Sequence, residues 1–390
     1  MKVLIFMTQF YQLSGAERLA VELAQELNKR GIRADILSMY TDDLDGVDEA
    51  RMELLDRGVP EVHFLGLKIN PRFTSLLSAI WNLRRLLKEG QYDIVETSQL
   101  SPTTIASWAT LTGRVSHVAG LHQVFDRQRE NSLRHRIWRF TTRCNSRTRF
   151  YAISDYVRDA WLRYSGTAPA RTQTIHNAIP DDCFDITADR SGVRKELSIP
   201  DDGQIAIFVG RLATYKGCDV LLDALAPQLE NSNLYLLYVG APDPTVAGSE
   251  EMLREMQQRI AGEGWDQQVR FLGHRDDVPR LLAAADVLTH PTQIEGFGLT
   301  LVEAMAAGTP VVSSDVEGIP EVLEGTDAVM VPPNDADRFG QAVIDVLNRP
   351  DAEALKVKQK GRSRAEAFRI GSRIDAMARL FDNLLHGRQG

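Results

Sequence analysis

The sequence has few cysteines, and their arrangement excludes a disulfide framework. Only three occur in 390 residues, Cys144, Cys183 and Cys218, and they are widely spaced with no CxxC pair. Small disulfide-bonded domains and zinc modules need larger or more closely spaced sets. We therefore expect three reduced thiols, as in a protein of the cytoplasm.

Long apolar runs and a dinucleotide fingerprint are also missing. No stretch approaches the roughly 18 apolar residues of a membrane-spanning helix, and the start, MKVLIFMTQF, lacks the features of a signal peptide. The turn at residues 9–17 contains only Gly15, so the GxGxxG pattern of nicotinamide oxidoreductases is absent. These absences predict a cytoplasmic location, either soluble or peripheral at the inner face of a membrane.

What is present is a globular composition with an uneven charge. Hydrophobic residues make up 43% and charged residues 25%, in a chain long enough for two domains. Residues 1–180 contain 24 Lys and Arg against 19 Asp and Glu, whereas residues 181–390 contain 21 against 34. A basic half followed by an acidic half indicates two domains with different tasks.

Short apolar runs alternate with amphipathic stretches, which is typical of parallel α/β sheets. The pattern predicts two doubly wound Rossmann-like domains, 1–177 and 178–369, with residues 177–202 as a linker between them. An amphipathic C-terminal helix within 370–390 is expected to pack back onto the first domain. Predicted strands occupy residues 3–8, 33–39, 92–96, 115–121, 149–153, 172–176, 205–209, 234–239, 269–272, 287–290 and 311–313.

The most informative stretch is 290–310. A predicted strand ends at His290, a turn with two glycines follows, and a helix is expected over 299–307, ended by Gly308. Ligands of open α/β sheets bind beyond the carboxyl ends of the strands, so this turn lies where a ligand is expected. Unpaired N–H groups at the helix start suit a phosphate, and acidic side chains nearby suit sugar hydroxyls. The residues concerned are Glu295, Gly296, Gly298, Leu299, Thr300 and Glu303.

A second cluster follows the predicted strand at 205–209. Gly210 and Arg211 come directly after it, and Lys216 and Gly217 precede the next helix. Two cations beside a helix start favour a diphosphate, although the spacing is not that of a P-loop.

Together these motifs resemble the retaining glycosyltransferases of family four, which have the GT-B fold of two Rossmann-like domains facing a cleft. The likeness covers nearly the whole chain and extends to the Gly318-Ile-Pro-Glu321 turn and to Ser14-Gly15-Ala16-Glu17, which is similar to the family's acceptor loop. It implies transfer of a sugar from a UDP- or GDP-linked donor to a hydroxyl acceptor, as in cell-surface or lipid-linked glycan biosynthesis.

The resemblance also implies residue roles. Arg211 and Lys216 would hold the donor diphosphate, Glu295 the sugar hydroxyls and Glu303 the ribose. His122 matches the family's active-site histidine beside the transferred sugar, and with Arg211, Lys216 and Glu295 it forms the expected catalytic set. Ala178 stands where the family usually has Gly after Asn177, so this loop departs from the family's pattern. The other expected donor-binding residues are Gly210, Gly296, Phe297, Gly298, Leu299 and Thr300, and the acceptor-binding residues are Ser14, Gly15 and Ala16.

No cofactor and no metal are expected, since Arg211, Lys216 and the helix start would provide the positive charge. The family is thought to retain anomeric configuration by front-face attack without a protein nucleophile. An Asp-x-Asp metal motif of the GT-A class occurs at Asp43-Leu-Asp45 and Asp335-Ala-Asp337, but both lie in polar loops and we interpret them as solvated acids.

The basic excess of the first half is concentrated in one segment. Residues 127–149 contain eight arginines opposed only by Glu130, with Leu133, Ile137, Trp138 and Phe140 interleaved. This pattern is typical of a solvated helix face or of a segment that contacts an anionic membrane or a pyrophosphate-linked lipid acceptor. Nucleic acid is not expected, because no recognition motif accompanies the charge.

Other activities on the same fold stay open. A nucleotide-sugar epimerase or hydrolase, or a glycosyltransferase for a small-molecule acceptor, would share the two domains. A phosphorylase would need a cofactor-binding lysine, and a sugar-binding protein without activity would normally be exported.

Overall fold

The structure is a computed structural model that describes residues 1–10, 15–42, 46–68, 73–126, 132–230, 233–244 and 246–386. The chain forms two compact units, each with its own core: unit 1 contains residues 1–177 and 373–390, and unit 2 contains residues 178–372. Each unit is built on a parallel sheet, seven strands in the first and six in the second, which confirms the predicted fold class of two doubly wound α/β domains.

The sheet of unit 1 has the order β3-β2-β1-β4-β5-β6-β7. Its central strands are buried almost throughout, because helices cover both faces of the sheet. The strand order reverses between β1 and β4, so ligands are expected at the carboxyl edge there. The strands are β1 (Lys2–Met7), β2 (Arg33–Tyr40), β3 (Val62–Leu67), β4 (Ile94–Thr97), β5 (Ser116–Leu121), β6 (Arg149–Ala152) and β7 (Thr172–Thr174), and the helices are α1 (Gly15–Lys29), α2 (Val47–Asp56), α3 (Phe73–Glu89), α4 (Leu100–Ala109), α5 (Leu133–Cys144) and α6 (Asp155–Ser165).

The sheet of unit 2 has the order β10-β9-β8-β11-β12-β13, and its order reverses between β8 and β11. The strands are β8 (Gln204–Val209), β9 (Leu234–Val239), β10 (Val269–Gly273), β11 (Val287–His290), β12 (Val311–Ser314) and β13 (Val329–Val331), and the helices are α7 (Arg190–Glu196), α8 (Cys218–Leu229), α9 (Ser249–Glu263), α10 (Val278–Ala284), α11 (Leu299–Ala307), α12 (Ile319–Val322), α13 (Ala336–Leu347) and α14 (Asp351–Ala365).

The last helix, α15 (Ile370–His386), belongs to unit 1 from Arg373 onward. Met377 and Phe381 of its apolar stripe are fully buried. Arg373 is also buried, and its guanidinium donates a hydrogen bond to the amide oxygen of Asn177.

The segment 177–202 is not the plain linker that its prolines and acids predict. It forms a short 3-10 helix (Asp181–Phe184) and the α-helix α7, and both lie within unit 2. Arg194 on α7 is 5% exposed and donates to the carbonyl of Gly203 at 2.8 Å. The apolar side chains of this segment, Val193, Leu197 and Ile199, are buried, and they hold it against the unit.

Candidate functional site

The two motifs of the second half meet at the carboxyl edge of the unit 2 sheet. β8 and β11 are hydrogen-bonded neighbours, so the loop 210–217 after β8 lies beside the turn 291–298 after β11. Backbone and side-chain bonds join the two loops, because Gln293 N donates to Tyr215 O at 2.8 Å and Thr292 Oγ1 donates to the same oxygen at 3.3 Å. The point where the strand order reverses therefore carries both predicted motifs.

Glycine is required for this close approach. Gly217 has φ +68°, and a Cβ there would lie 2.2 Å from the carbonyl oxygen of Pro291. Gly240, after β9, has φ +136°, and its Cβ would lie 1.9 Å from Gly210 O. Any larger residue at either position would push the loops apart.

Lys216 and Glu295 form an ion pair at the centre of this edge. Lys216 Nζ lies 2.6 Å from Glu295 Oε2, and the two side chains are only 15% and 18% exposed. The structure thus brings together two of the residues predicted to be catalytic.

The Glu295 carboxylate also bonds to the start of α11. Its Oε1 accepts hydrogen bonds from Gly298 N at 3.1 Å and, more weakly, from Phe297 N at 3.4 Å. The Gly298 N–H was expected to be unpaired, but it donates to the side chain of Glu295, three residues earlier in the chain. Leu299 and Thr300 begin the helix, so their N–H groups have no carbonyl one turn earlier to bond.

A second loop fixes the backbone of Glu295. Glu295 N donates to Glu317 Oε2 at 2.8 Å, and its carbonyl accepts from Gly318 N at 3.1 Å. Glu317 has φ +50°, a left-handed conformation that is uncommon outside glycine. Glu317 was not among the predicted site residues, although it adjoins the Gly318-Ile-Pro-Glu321 turn.

The surroundings of Glu295 lower the pKa of its carboxyl well below the ordinary value. Burial by itself raises that pKa, but the Lys216 ammonium and the nearby His290 ring outweigh it. His290 Nε2 lies 3.6 Å from Glu295 Oε2, and burial lowers the pKa of the His290 imidazole. Glu295 is therefore an anion held against a cation at neutral pH.

Arg211 lies at the exposed side of the same loop. Its guanidinium pairs with the carboxylate of Asp243 and donates to Tyr215 Oη at 2.7 Å. Its side chain is 56% exposed, whereas that of Asp243 is 3% exposed. Asp243, which follows β9, lies in no motif that could have identified it from the sequence.

The other expected donor-binding residues lie along the same loops and α11. Phe297 is 1% exposed, and its ring packs edge-on against Phe368 with centroids 5.3 Å apart, so its side chain belongs to the core. Glu303 lies one turn along α11 from Leu299 and is half-buried. Gly210 follows β8 directly and has φ +154°, and Gly296 is buried in the turn.

His122 lies in unit 1, immediately after β5. Its Nε2 is 3.3 Å from Tyr151 Oη, and the two rings meet edge-on with centroids 5.8 Å apart. Burial, and to a smaller degree the charge of Arg373, lowers the pKa of the His122 imidazole to about 3. His122 is therefore neutral under physiological conditions.

The expected acceptor loop is described only in part. Ser14 lies outside the described residues, Gly15 is exposed at the start of α1, and Ala16 follows it in that helix. Glu17 accepts a hydrogen bond from Gln99 Nε2, and Gln99 Oε1 accepts from Thr8 N at 2.7 Å. Gln99 thus ties the start of α1 to the ends of β1 and β4.

One group of possible metal ligands occurs among the described residues, Asp35, Glu61 and His63. It lies at the amino edge of the unit 1 sheet, opposite His122. Asp35 is fully buried and already bonds to Lys2 Nζ at 3.2 Å, to Arg33 and to Tyr92 Oη at 2.8 Å. Two cations compensate this carboxylate, so the group fits a structural ion cluster better than a metal site.

Only one of the two Asp-x-Asp patterns lies in the part of the chain that the structure describes. Asp43-Leu-Asp45 lies outside the described residues. Asp335 is the N-cap of α13, where its Oδ1 accepts from Arg338 N at 3.1 Å, and Asp337 lies in the first turn of the same helix. The second pattern therefore stabilises a helix start.

The arginine-rich segment forms α5 from Leu133 onward, and residues 127–131 lie outside the described part. Leu133, Ile137 and Phe140 are 70%, 43% and 61% exposed along one side of the helix. Trp138, which was grouped with them, is instead 4% exposed, because its ring packs between Phe125 and Trp161 at 5.2 and 4.9 Å.

A neighbouring helix exposes further apolar residues. Leu77 and Trp81 on α3 are 59% and 60% exposed, and Arg85 lies over the Trp81 ring at 5.3 Å. Helix α4 packs against both α3 and α5. Among the helices in the described ranges, none is long and apolar enough to cross a bilayer.

Comparison with known proteins supports the family resemblance. The model of the Glycosyltransferase Family 4 matches residues 13–182, and that of the Glycosyl transferases group 1 matches residues 189–364. A D-inositol 3-phosphate glycosyltransferase of Streptomyces scabiei is 29% identical over 58% of this chain and 51% of its own length. One from Geodermatophilus obscurus is 32% identical over 54% of this chain and 47% of its own. The chain thus matches about half the length of these curated relatives.

Solved structures show the same fold over nearly the whole chain. Anabaena Alr3699/HepE in complex with UDP superposes with a TM-score of 0.83 at 21% identity, covering 98% of this chain and 100% of its own. The lipopolysaccharide outer core galactosyltransferase WaaB superposes with a TM-score of 0.72 at 18% identity, covering 100% of both chains. With both family models matched and the GT-B fold present, the chain belongs to glycosyltransferase family four.

Proposed function

We propose that this protein is a retaining glycosyltransferase that moves a sugar from a nucleotide-diphosphate donor to a hydroxyl acceptor. The observation that carries the proposal is the Lys216–Glu295 pair at 2.6 Å, placed where the strand order reverses and next to the start of α11. Such an edge offers cations and N–H groups to a diphosphate, and a carboxylate to sugar hydroxyls.

The proposed mechanism follows from where charge develops. As the bond between the anomeric carbon and the diphosphate oxygen breaks, negative charge grows on the leaving diphosphate. Lys216, Arg211 and the N–H groups of Leu299 and Thr300 would stabilise that charge. The acceptor oxygen bonds to the same face of the anomeric carbon, and its proton passes to the diphosphate oxygen, which retains the configuration.

The remaining roles concern the sugar and the ribose. Glu295, held ionised by Lys216, would accept hydrogen bonds from hydroxyls of the transferred sugar, and Glu303 would do the same for the ribose. We also propose His122 as the residue beside that sugar and Gly15 with its neighbours as part of the acceptor site. A metal is not required in this scheme, because side-chain cations meet the developing charge.

The donor is expected to be UDP- or GDP-linked. UDP is favoured because structures of the similar Alr3699/HepE contain UDP and UDP-glucose. The first test is thermal stabilisation by UDP, GDP and ADP, followed by donor turnover with and without EDTA. We expect stabilisation by UDP and no loss of turnover with EDTA; loss that added Mg²⁺ restores would contradict the metal-independent scheme.

Variants test the site itself. Lys216→Ala, Arg211→Ala and Glu295→Gln should each remove most of the turnover, whereas Lys360→Ala, which breaks an exposed pair with Asp327, should not. Full turnover in all three site variants would overturn the assignment. Retention is tested by NMR of the product: an inverted anomeric configuration would refute that part.

We further propose that the acceptor is lipid-linked or part of a surface glycan, and that unit 1 contacts an anionic bilayer. The support is the amphipathic pattern of α5, in which exposed Leu133, Ile137 and Phe140 alternate with arginines such as the exposed Arg136. The exposed Leu77 and Trp81 of α3 would extend this apolar surface.

Liposomes of phosphatidylglycerol test this part. We expect co-sedimentation at low salt that weakens at high salt and is reduced several-fold in Phe140→Ser and Arg136→Glu. Leu355→Ser is the matched control, since Leu355 is 57% exposed on α14 of unit 2. Equal sedimentation of all variants, or none by the parent, would contradict membrane contact.

A small-molecule acceptor is the second candidate, because several curated relatives are named D-inositol 3-phosphate glycosyltransferase. Transfer to inositol phosphate with no transfer to lipid-linked glycans would favour it over the first.

A further inference from the structure

Three polar residues meet at the carboxyl edge of the unit 1 sheet. Glu96 lies on β4, His122 follows β5 and Tyr151 lies on β6, and these three strands are consecutive in the sheet. Tyr151 Oη donates to Glu96 Oε1 at 2.8 Å and lies 3.3 Å from His122 Nε2. The tyrosine hydroxyl therefore connects a buried carboxylate to the histidine proposed to lie beside the sugar.

A glycine makes this connection possible. Tyr151 pairs with Gly120 across the sheet, and β5 separates it from Glu96. A Cβ at Gly120 would lie 2.5 Å from Tyr151 Oη and 2.8 Å from His122 Nε2. Only glycine lets the tyrosine cross β5 to reach both partners.

The directions of the hydrogen bonds determine where the imidazole proton lies. Glu96 Oε1 accepts from Tyr151 Oη and also from Ser98 Oγ at 2.8 Å. The single hydroxyl proton of Tyr151 is used toward Glu96, so its oxygen can only accept from His122. The ring of a neutral His122 must then carry its proton on Nε2, and Nδ1 is left as an acceptor.

The charges around the group are consistent with this order. Glu96 is fully buried, and Arg373, which bonds to Asn177, lies over the Tyr151 ring at 5.8 Å. Burial raises the pKa of the Glu96 carboxyl, and the Arg373 charge offsets this only in part. Because Oε1 already accepts from two hydroxyls, a proton on the carboxyl would lie on Oε2, and Oε1 accepts the tyrosine proton in either charge state. Burial keeps Tyr151 protonated, since it raises the pKa of the phenol.

We propose that Glu96 and Tyr151 are positioning residues that hold His122 in the tautomer protonated at Nε2. Nδ1 is thereby presented as a hydrogen-bond acceptor for a hydroxyl of the transferred sugar. The choice of ligand rests on the proposed function, whereas the tautomer is a property of the chain itself and can be measured without any substrate.

The same sheet contains a matched control. At its amino edge His63 Nε2 lies 2.9 Å from Tyr92 Oη, which donates to Asp35 Oδ2 at 2.8 Å. Tyr92→Phe removes the same kind of histidine–tyrosine–carboxylate link, away from the carboxyl edge. It controls for the stability lost with a buried tyrosine hydroxyl.

The first experiment measures ¹⁵N shifts of the histidine rings in the full-length protein, with His122 assigned from the signal lost in His122→Gln. We expect a single tautomer, protonated at Nε2, in the parent and in Tyr92→Phe, and a mixture in Tyr151→Phe. Glu96→Gln keeps an oxygen that accepts from Tyr151 and should restore the parent tautomer, whereas Glu96→Leu should not. An unchanged His122 signal in both Tyr151→Phe and Glu96→Leu would overturn the proposal.

The second experiment compares kcat and KM of the same variants with the donor. Tyr151→Phe and Glu96→Leu should lose about 10-fold in kcat or kcat/KM, as expected for one hydrogen bond, with Glu96→Gln close to the parent. A tautomer change without loss of activity would refute the positioning role. If the parent transfers no sugar, the proposed function fails while the tautomer result still decides the structural part.

Discussion

Two glutamates, the partly buried Glu295 in unit 2 and the fully buried Glu96 in unit 1, lie at the carboxyl edges of parallel sheets but differ in their partners. Glu295 is 2.6 Å from the Lys216 ammonium and accepts from the N–H of Gly298. Glu96 accepts only from the hydroxyls of Tyr151 and Ser98 among the described residues, and its Oε2 has no hydrogen-bond partner there.

These different partners shift the pKa values of the two glutamates in opposite directions. A cation in contact lowers the pKa of Glu295 despite its burial, whereas burial raises the pKa of Glu96 because hydroxyls compensate only part of its charge. The pKa of each glutamate therefore depends on its local partners rather than on the net charge of its unit. Although the second half of the chain is acidic, Lys216 lies where an anionic donor is proposed to bind.

The largest expected effect comes from removing Lys216, the cation paired with Glu295. Lys216→Met leaves Glu295 largely buried without its partner, which typically costs about 3–5 kcal/mol of stability. The pKa of Glu295 should rise, and turnover should be lost. Urea denaturation and donor turnover measure the two effects.

An exposed pair provides the control for that variant. Lys360 and Asp327 lie 2.8 Å apart but are 52% and 49% exposed, so Lys360→Met should cost less than about 1 kcal/mol. Equal losses in the two variants would mean that burial does not distinguish the pairs.

The pH dependence of stability should have opposite signs for the two glutamates. The folded pKa of Glu295 is depressed, so its stabilisation is complete above the ordinary value of 4.5 and is lost as pH falls through the folded pKa. The advantage of the parent over Glu295→Gln, about 2–3 kcal/mol at neutral pH for charged hydrogen bonds, should therefore shrink in acid.

The contribution of Glu96 to stability should have the opposite pH dependence. Its folded pKa is raised above 4.5, so the parent is favoured at low pH and loses stability as pH rises toward the folded pKa. The stability of Glu96→Gln should therefore increase relative to that of the parent as the pH rises from 4 to 7. Denaturant titrations at several pH values measure both curves, and parallel curves would refute the comparison.

The sequence predicted the parts of this comparison that lie close together along the chain. The helix expected at 299–307 is present as Leu299–Ala307, and the motifs beside it identified the family. Local signals sufficed because a glycine turn, an apolar run and a terminal Gly308 lie within 20 residues. The proposed roles of these residues stay predictions.

The contacts between residues far apart in the sequence could not be predicted, because they depend on which strands become neighbours. Glu96 and Tyr151 are 55 positions apart and meet only because β4, β5 and β6 are adjacent, with Gly120 between them. The edge strand β3 (Val62–Leu67) was not predicted, since Gly66 interrupts its short apolar pattern. The burial of Trp138 was not predicted, because the interleaved pattern of α5 does not reveal the aromatic cluster behind it.

The smallest expected change in stability concerns Glu317, whose side chain holds the backbone of Glu295. Glu317→Gly relieves a left-handed conformation at φ +50° but loses the bond to Glu295 N at 2.8 Å. The two effects are each about 1 kcal/mol and opposite in sign, so the free energy of unfolding should hardly change.

Activity should nevertheless fall several-fold in Glu317→Gly, because Glu295 loses the anchor that places its carboxylate against Lys216. Glu317→Gln, which keeps an accepting oxygen, should retain most of the turnover. Asn334→Gly is the control, since Asn334 is exposed and has a similar φ of +62° without contact to Glu295. If Glu317→Gly and Asn334→Gly were equally active, the left-handed glutamate would have no part in the site. A selective loss would instead show that backbone strain at 317 is maintained for the placement of Glu295.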